Sequence, residues 1–138
     1  MKRIVLLLSL AFALMGCKSQ VAFEEAHNYF VRNDVVQPVA PLITSQEAFD
    51  AVFGCAPVMG KDGRPTPIDF ARQFALAVVL PETSRPTTVT PVALTETADS
   101  LRLTYSVDEQ EPSTWTMVPC CILVVDKAHQ KPVSLQRK

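Results

Sequence analysis

The hydrophobic pattern of this chain divides into a leading apolar block, one helical stripe and a series of short extended segments. Residues 1–17 open with Met1-Lys2-Arg3 and continue as an apolar run from Ile4 to Met15, broken only by Ser9. A basic start followed by ten to fifteen apolar residues and a small residue has the form of a secretory signal, too short for a spanning helix. Further along, Phe74 to Leu80 is apolar at every position, the pattern of a central strand covered on both faces, and Pro81 ends it. Leu101, Leu103, Tyr105 and Val107 alternate with Arg102, Thr104, Ser106 and Asp108, which predicts a half-buried antiparallel strand. Ala98-Asp99-Ser100 supplies a hairpin turn into it. Cys120 to Val125 reads as a second buried strand, and a last short one is expected around Val133 to Leu135.

The remaining segments carry local signals. Asn28 to Val36 predicts a first strand, and Gln37 to Pro41 an extended linker. Thr44 with Glu47 matches a capping box, in which hydroxyl and carboxylate each satisfy the other residue's amide. Phe49, Val52 and Phe53 then share one helical face and Gly54 occupies a C′ position, so a short amphipathic helix is expected over 45–53, docked on the sheet. Met59 to Pro65 reads as a loop with an Asp-Gly turn. Thr66-Pro67-Ile68-Asp69 offers a second cap, with one helical turn through Gln73. Thr87 to Thr97 is β-prone but contains Pro91, the mark of an edge strand or a bulge. Thr114 to Val118 alternates too, with Trp115 read as core and Pro119 breaking the ladder.

Together these segments predict an α+β domain: a mainly antiparallel sheet of five or six strands, curled toward a sandwich or partial barrel, with one short helix packed on it. The composition agrees. All 11 prolines lie beyond the apolar leader, with only Gly54, Gly60 and Gly63 for glycine, and prolines so spread suit short strands better than a helical bundle. The expected organisation is a signal peptide over residues 1–16, a tether over 17–26 and a single globular domain over 27–138. Removing residues 1–16 from the 138 leaves 122, enough for one domain. The loss of Lys2 and Arg3 leaves 11 basic residues against 14 acidic, a net charge of about −3, which gives no electrostatic case for nucleic acid.

Leu14-Met15-Gly16-Cys17 resembles the lipobox of bacterial lipoproteins. The resemblance implies cleavage between Gly16 and Cys17, a diacylglycerol on the Cys17 thiol and an acyl group on its new amino end. Several acyl chains make a stable membrane anchor where one does not. By the same analogy Lys18, in place of an aspartate after Cys17, favours the outer membrane, and the lack of an acidic run favours its periplasmic side.

Candidate chemistry is sparse. With Cys17 committed to lipid, Cys55, Cys120 and Cys121 remain, in a compartment where disulfides persist. Successive strand residues point to opposite faces, so Cys120 and Cys121 cannot both meet Cys55. A bridge from Cys55 to Cys121 (or Cys120) would close a loop of about 65 residues and contribute about 4 kcal/mol by the chain-entropy argument. The alternatives are three buried unpaired thiols, or a redox or metal site. There is no Cys-x-x-Cys, and His27 and His129 stand far apart without zinc-ligand spacing, so no metal ligands are assigned. Gly-x-Ser-x-Gly, a Walker loop and Gly-x-Gly-x-x-Gly are absent. No catalytic residues and no cofactor other than the Cys17 lipid are expected. Binding would fall to loops: 56–66 with Lys61 and Arg64, and 82–88 with Arg85 and Thr87.

Phe53-Gly54, Met59-Gly60, Pro65 to Phe70, Thr87 to Leu94 and Leu103 to Val107 resemble a group of small uncharacterised bacterial lipoproteins. The helix, the Ile68-Asp69-Phe70 phrase, the buried strand and the later hairpins are also similar to the carboxy-terminal domain of PrcB-type lipoproteins, partners of a surface protease. The Gly-Gly-Tyr-like segment of that domain is replaced here by Ser84-Arg85-Pro86-Thr87-Thr88. The leading expectation is a lipid-anchored, non-enzymatic envelope protein that binds a protein partner. A protease-inhibitor-like or protease-accessory domain using loops 82–88 and 56–66 is the second reading. A thiol-redox or metal-handling protein using Cys55 with Cys120 or Cys121 is the third.

Overall fold

Alternation along two buried strands sets the architecture. The computed structural model describes residues 19–138, so Gly16 and Cys17 lie outside the described residues. The strands are β1 (Ser19–Gln20), β2 (Glu24–Ala26), β3 (Tyr29–Val31), β4 (Leu42–Ile43), β5 (Phe53–Cys55), β6 (Gln73–Val79), β7 (Thr87–Glu96), β8 (Leu101–Glu109), β9 (Cys120–Asp126) and β10 (Val133–Arg137). The helix α1 (Gln46–Val52) precedes β5, and a 3-10 turn, Lys127–His129, follows β9. One sheet has the order β2-β9-β6-β4, a second β1-β7-β8-β10, and β3 and β5 form a small ribbon. The fold is thus α+β and β-rich, with mostly antiparallel sheets. The exception is β10, which runs parallel to β8 after the chain crosses between sheets.

The β2-β9-β6-β4 sheet is the middle layer. Phe74, Leu76 and Val78 of β6, with Cys121, Leu123 and Val125 of β9, meet Val89, Leu94, Leu101 and Leu103 of the second sheet. The opposite face of the same strands carries Ala75, Ala77, Ile122 and Val124, and there α1 and the ribbon pack. The two alanines leave depth for an aromatic group. Phe49 sits 5.0 Å from Tyr29 edge to face, 5.0 Å from Phe53 and 5.8 Å from Phe70. Every buried residue among those described is apolar, and no buried side-chain polar atom lacks a partner.

Several local expectations are corrected. First, the helix is capped by Ser45, not Thr44: Ser45 Oγ accepts from the Ala48 amide at 3.1 Å. Ile43 is buried and paired with Ala75 in β4, which delays the turn into the helix by one residue. Second, Gly54 stands at C′, after the C-cap Phe53, but does not adopt the left-handed conformation of a helix-ending glycine. The chain leaves α1 through an extended Phe53 directly into β5, and the Phe30 ring covers Gly54 so closely that a Cβ there would lie 2.5 Å from Phe30 Cζ. Third, Thr114 to Val118 is no strand. Only Met117 pairs, exchanging two 2.9 Å backbone bonds with Thr83, while Ser113 ties the segment to Ser84 and leaves Trp115 53% exposed. Fourth, the predicted tether is folded from Ser19 onward. β1 pairs with Thr95 and Glu96, Val21 is buried and its amide donates to Leu94, and β2 lines β9. The strand expected over 28–36 contracts to β3, and Val36 is exposed.

Pro91 falls where it costs the ladder nothing. Thr87 faces Glu109, and the Gln110 amide donates to the Pro86 carbonyl at 2.9 Å, so Thr87 is in a non-hydrogen-bonded pair. By alternation the backbone groups of Thr87, Val89 and Pro91 point away from β8. The missing N–H therefore lies on the free edge, and a register shift follows between Pro91 and Ala93.

Candidate functional site

A groove opens at the end of the sandwich where β2 leaves its neighbour. β2 follows β9 as far as the pair Ala26 and Ile122, and then Asn28, at φ 67°, turns the chain out into β3. Few side chains accept that left-handed conformation; asparagine is one of them. Its amide group then works as a clamp. Asn28 Nδ2 donates to the Asp62 carbonyl at 2.9 Å and the Arg64 carbonyl at 3.1 Å, while His27 and Thr66 exchange two further bonds. The 56–66 loop is thereby held against the β2–β3 corner.

The departure of β2 leaves the start of β9 uncovered on one side. The resulting groove, about 600 Å³, is lined by Glu25, Tyr29 and Phe30 from the corner, Glu82 and Val89 from the β7 side, and Cys120 from β9, among others. Its lining mixes apolar groups with threonine hydroxyls, and its charged lining groups are the two carboxylates. Glu82 is fixed by Thr116, whose hydroxyl donates to Oε1 at 2.8 Å. The Thr87 amide donates to Met117 Sδ at 3.4 Å, and the Val89 N–H and C=O likewise point away from β8, in a residue 6% exposed. Phe30, 47% exposed, lines the same groove. Tyr29 is a structural member: its hydroxyl donates to the Thr66 carbonyl, and burial, then Cys55, then Asp50, raise its pKa.

The predicted site residues separate on this frame. Thr87 lines the groove. Arg64 instead borders a second depression of about 480 Å³ with Lys61 and His27. Arg85 extends to the Gln110 carbonyl at 3.5 Å. The bridge from Cys55 to Cys121 or Cys120 is not formed; all three thiols are free. Cys55 is exposed on the ribbon, Cys121 faces the core between the sheets, and Cys120 faces the other way, so the middle sheet stands between Cys55 and Cys121. Burial pushes the Cys120 thiol up to about 11. Burial, aided by Glu25 and Cys120, pushes Cys121 to about 12. Both stay protonated at neutral pH and are poor nucleophiles. Among the described residues no three His, Cys, Asp or Glu side chains converge as metal ligands.

At the opposite end of β7 a second polar group assembles. Glu96 accepts from His129 Nδ1 at 3.2 Å and Lys131 Nζ at 3.1 Å, and Lys131 also donates to the Thr97 carbonyl at 2.8 Å. The bonds from His129 and Lys131 hold the Glu96 carboxyl below its usual range, against a small opposing effect of its burial. This group joins the β7–β8 turn to the 3-10 turn. Comparison with known protein families, with curated proteins and with solved structures returns no match to this chain.

Proposed function

We propose that this protein is a lipid-anchored component of the bacterial envelope, held by Cys17 at the outer membrane, and that its domain binds a partner protein through the groove. The observation that supports this most is the convergence in one groove of the outer edge of β7 at Thr87 to Val89, the exposed Phe30 ring and the carboxylates of Glu25 and Glu82. An extended segment can add backbone bonds to a free strand edge, with side-chain contacts giving selectivity. Pro91 restricts such pairing to a short stretch, so an apolar residue on Phe30 and a cationic one near the two carboxylates must supply much of the affinity.

The test compares co-purification of the lipidated wild type, Phe30→Asp and a control, Val36→Asp, which changes a residue 86% exposed away from the groove. A discrete partner retained by the control and lost from Phe30→Asp is expected. Equal recovery from all three, or no partner, overturns the groove as the binding site. Cys17→Ala is expected to leave the precursor uncut and unlipidated.

A further inference from the structure

Because β1 starts at Ser19, only Lys18 separates the expected lipid attachment at Cys17 from the folded sheet. Two residues of fully extended chain reach about 7 Å. From this we infer that the β7–β8 turn, Thr97 to Ser100, together with the Lys127–His129 turn, is the face this domain presents to the lipid surface. The inference rests on the lipoprotein reading above and adds an orientation to it.

The geometry follows from pairing alone. Ser19 lies opposite Glu96, the last residue of β7, and the turn begins at the next position. Lys131 and His129 bind Glu96 from the other segment, so the two turns form one firm end and the Glu96 carboxylate meets the headgroups already compensated. Asp99 and Ala98 are exposed there. The groove is at the far end: Thr87 and Val89 lie at the start of β7, and at about 3.3 Å per residue they are about 30 and 23 Å along the strand from Glu96. Trp115 belongs to the same far end, beside Ser113 and its partner Ser84. The domain stands on its hairpin with the groove directed into the aqueous space, where a partner reaches it without crossing the headgroup layer.

The natural single tryptophan makes this measurable. Lipidated protein is reconstituted into phosphatidylcholine vesicles carrying a headgroup-attached nitroxide quencher, and flotation verifies attachment. Trp115 emission is compared with that of two variants in a Trp115→Phe background, Asp99→Trp and Ala98→Trp. At least twofold stronger quenching of either hairpin tryptophan than of Trp115, unchanged at high salt, is expected, because the tether and not surface charge sets the pose. Quenching of Trp115 equal to or stronger than that of both hairpin variants overturns the orientation. Failure of the wild-type protein to float, or flotation of Cys17→Ala, overturns the lipid reading itself.

Discussion

Replacing Asn28 tests whether one side chain holds the groove corner and the 56–66 loop together. Asn28→Ala removes two bonds, to the carbonyls of Asp62 and Arg64. Near the surface these contribute a net of about 0.5 kcal/mol each, the low end for an intramolecular hydrogen bond. Alanine must also hold φ 67°, which costs about 1 kcal/mol. The sum is a loss of about 2 kcal/mol. Asn28→Gly loses the same bonds without the conformational strain and should lose about 1 kcal/mol. Urea unfolding at neutral pH measures both. A local readout accompanies it: loosening the loop by about 1 kcal/mol should raise native-state trypsin cleavage after Lys61 about fivefold in either variant. If Asn28→Ala unfolds within about 0.5 kcal/mol of wild type, or Asn28→Gly is the less stable of the two, the clamp and the strain argument are both wrong.

Two further expectations concern the core and the thiols. Leu123→Ala, at a fully buried position between the sheets, should cost about 2–5 kcal/mol in urea unfolding, whereas Leu135→Ala, 38% exposed on β10, should cost under about 0.5; similar losses would contradict the layer assignment. Under native conditions a thiol reagent should modify Cys55 rapidly and Cys120 and Cys121 slowly. Because the folded thiols titrate at about 11 and about 12 against an ordinary 9.0, the unfolded chain releases protons first as pH rises. Stability should therefore be unaffected by these groups below about pH 9 and fall progressively above it. Cys121→Ala should flatten that decline; three fast thiols, or no decline assignable to Cys121, would refute the burial argument.

What could be read from the sequence was whatever a single segment encodes. Strands β6 and β9 declare themselves by unbroken apolar runs, β8 by alternation, and Pro91 by the donor it lacks. The helix was legible, but its cap was displaced by one residue because Ile43 is committed to β4, a tertiary constraint that Thr44 and Glu47 do not reveal. Ser19 and Gln20 looked like tether because β1 is held by backbone pairing and its side chains are exposed. Trp115 was misread as core because alternation over five residues is outweighed by Ser113, whose bonds to Ser84 and Trp115 fold the segment into a turn. The groove was only partly legible, through Thr87. Glu25, Phe30 and Cys120 come from segments about 90 residues apart and converge only through strand order.

The most direct test of the central proposal is photocross-linking in cells, with a benzophenone side chain installed in place of Phe30 and, separately, of Val36. The account predicts a discrete covalent adduct with one envelope protein from position 30 and none from position 36. Absence of any adduct from position 30, or the same adducts from both positions, would contradict a protein-binding groove.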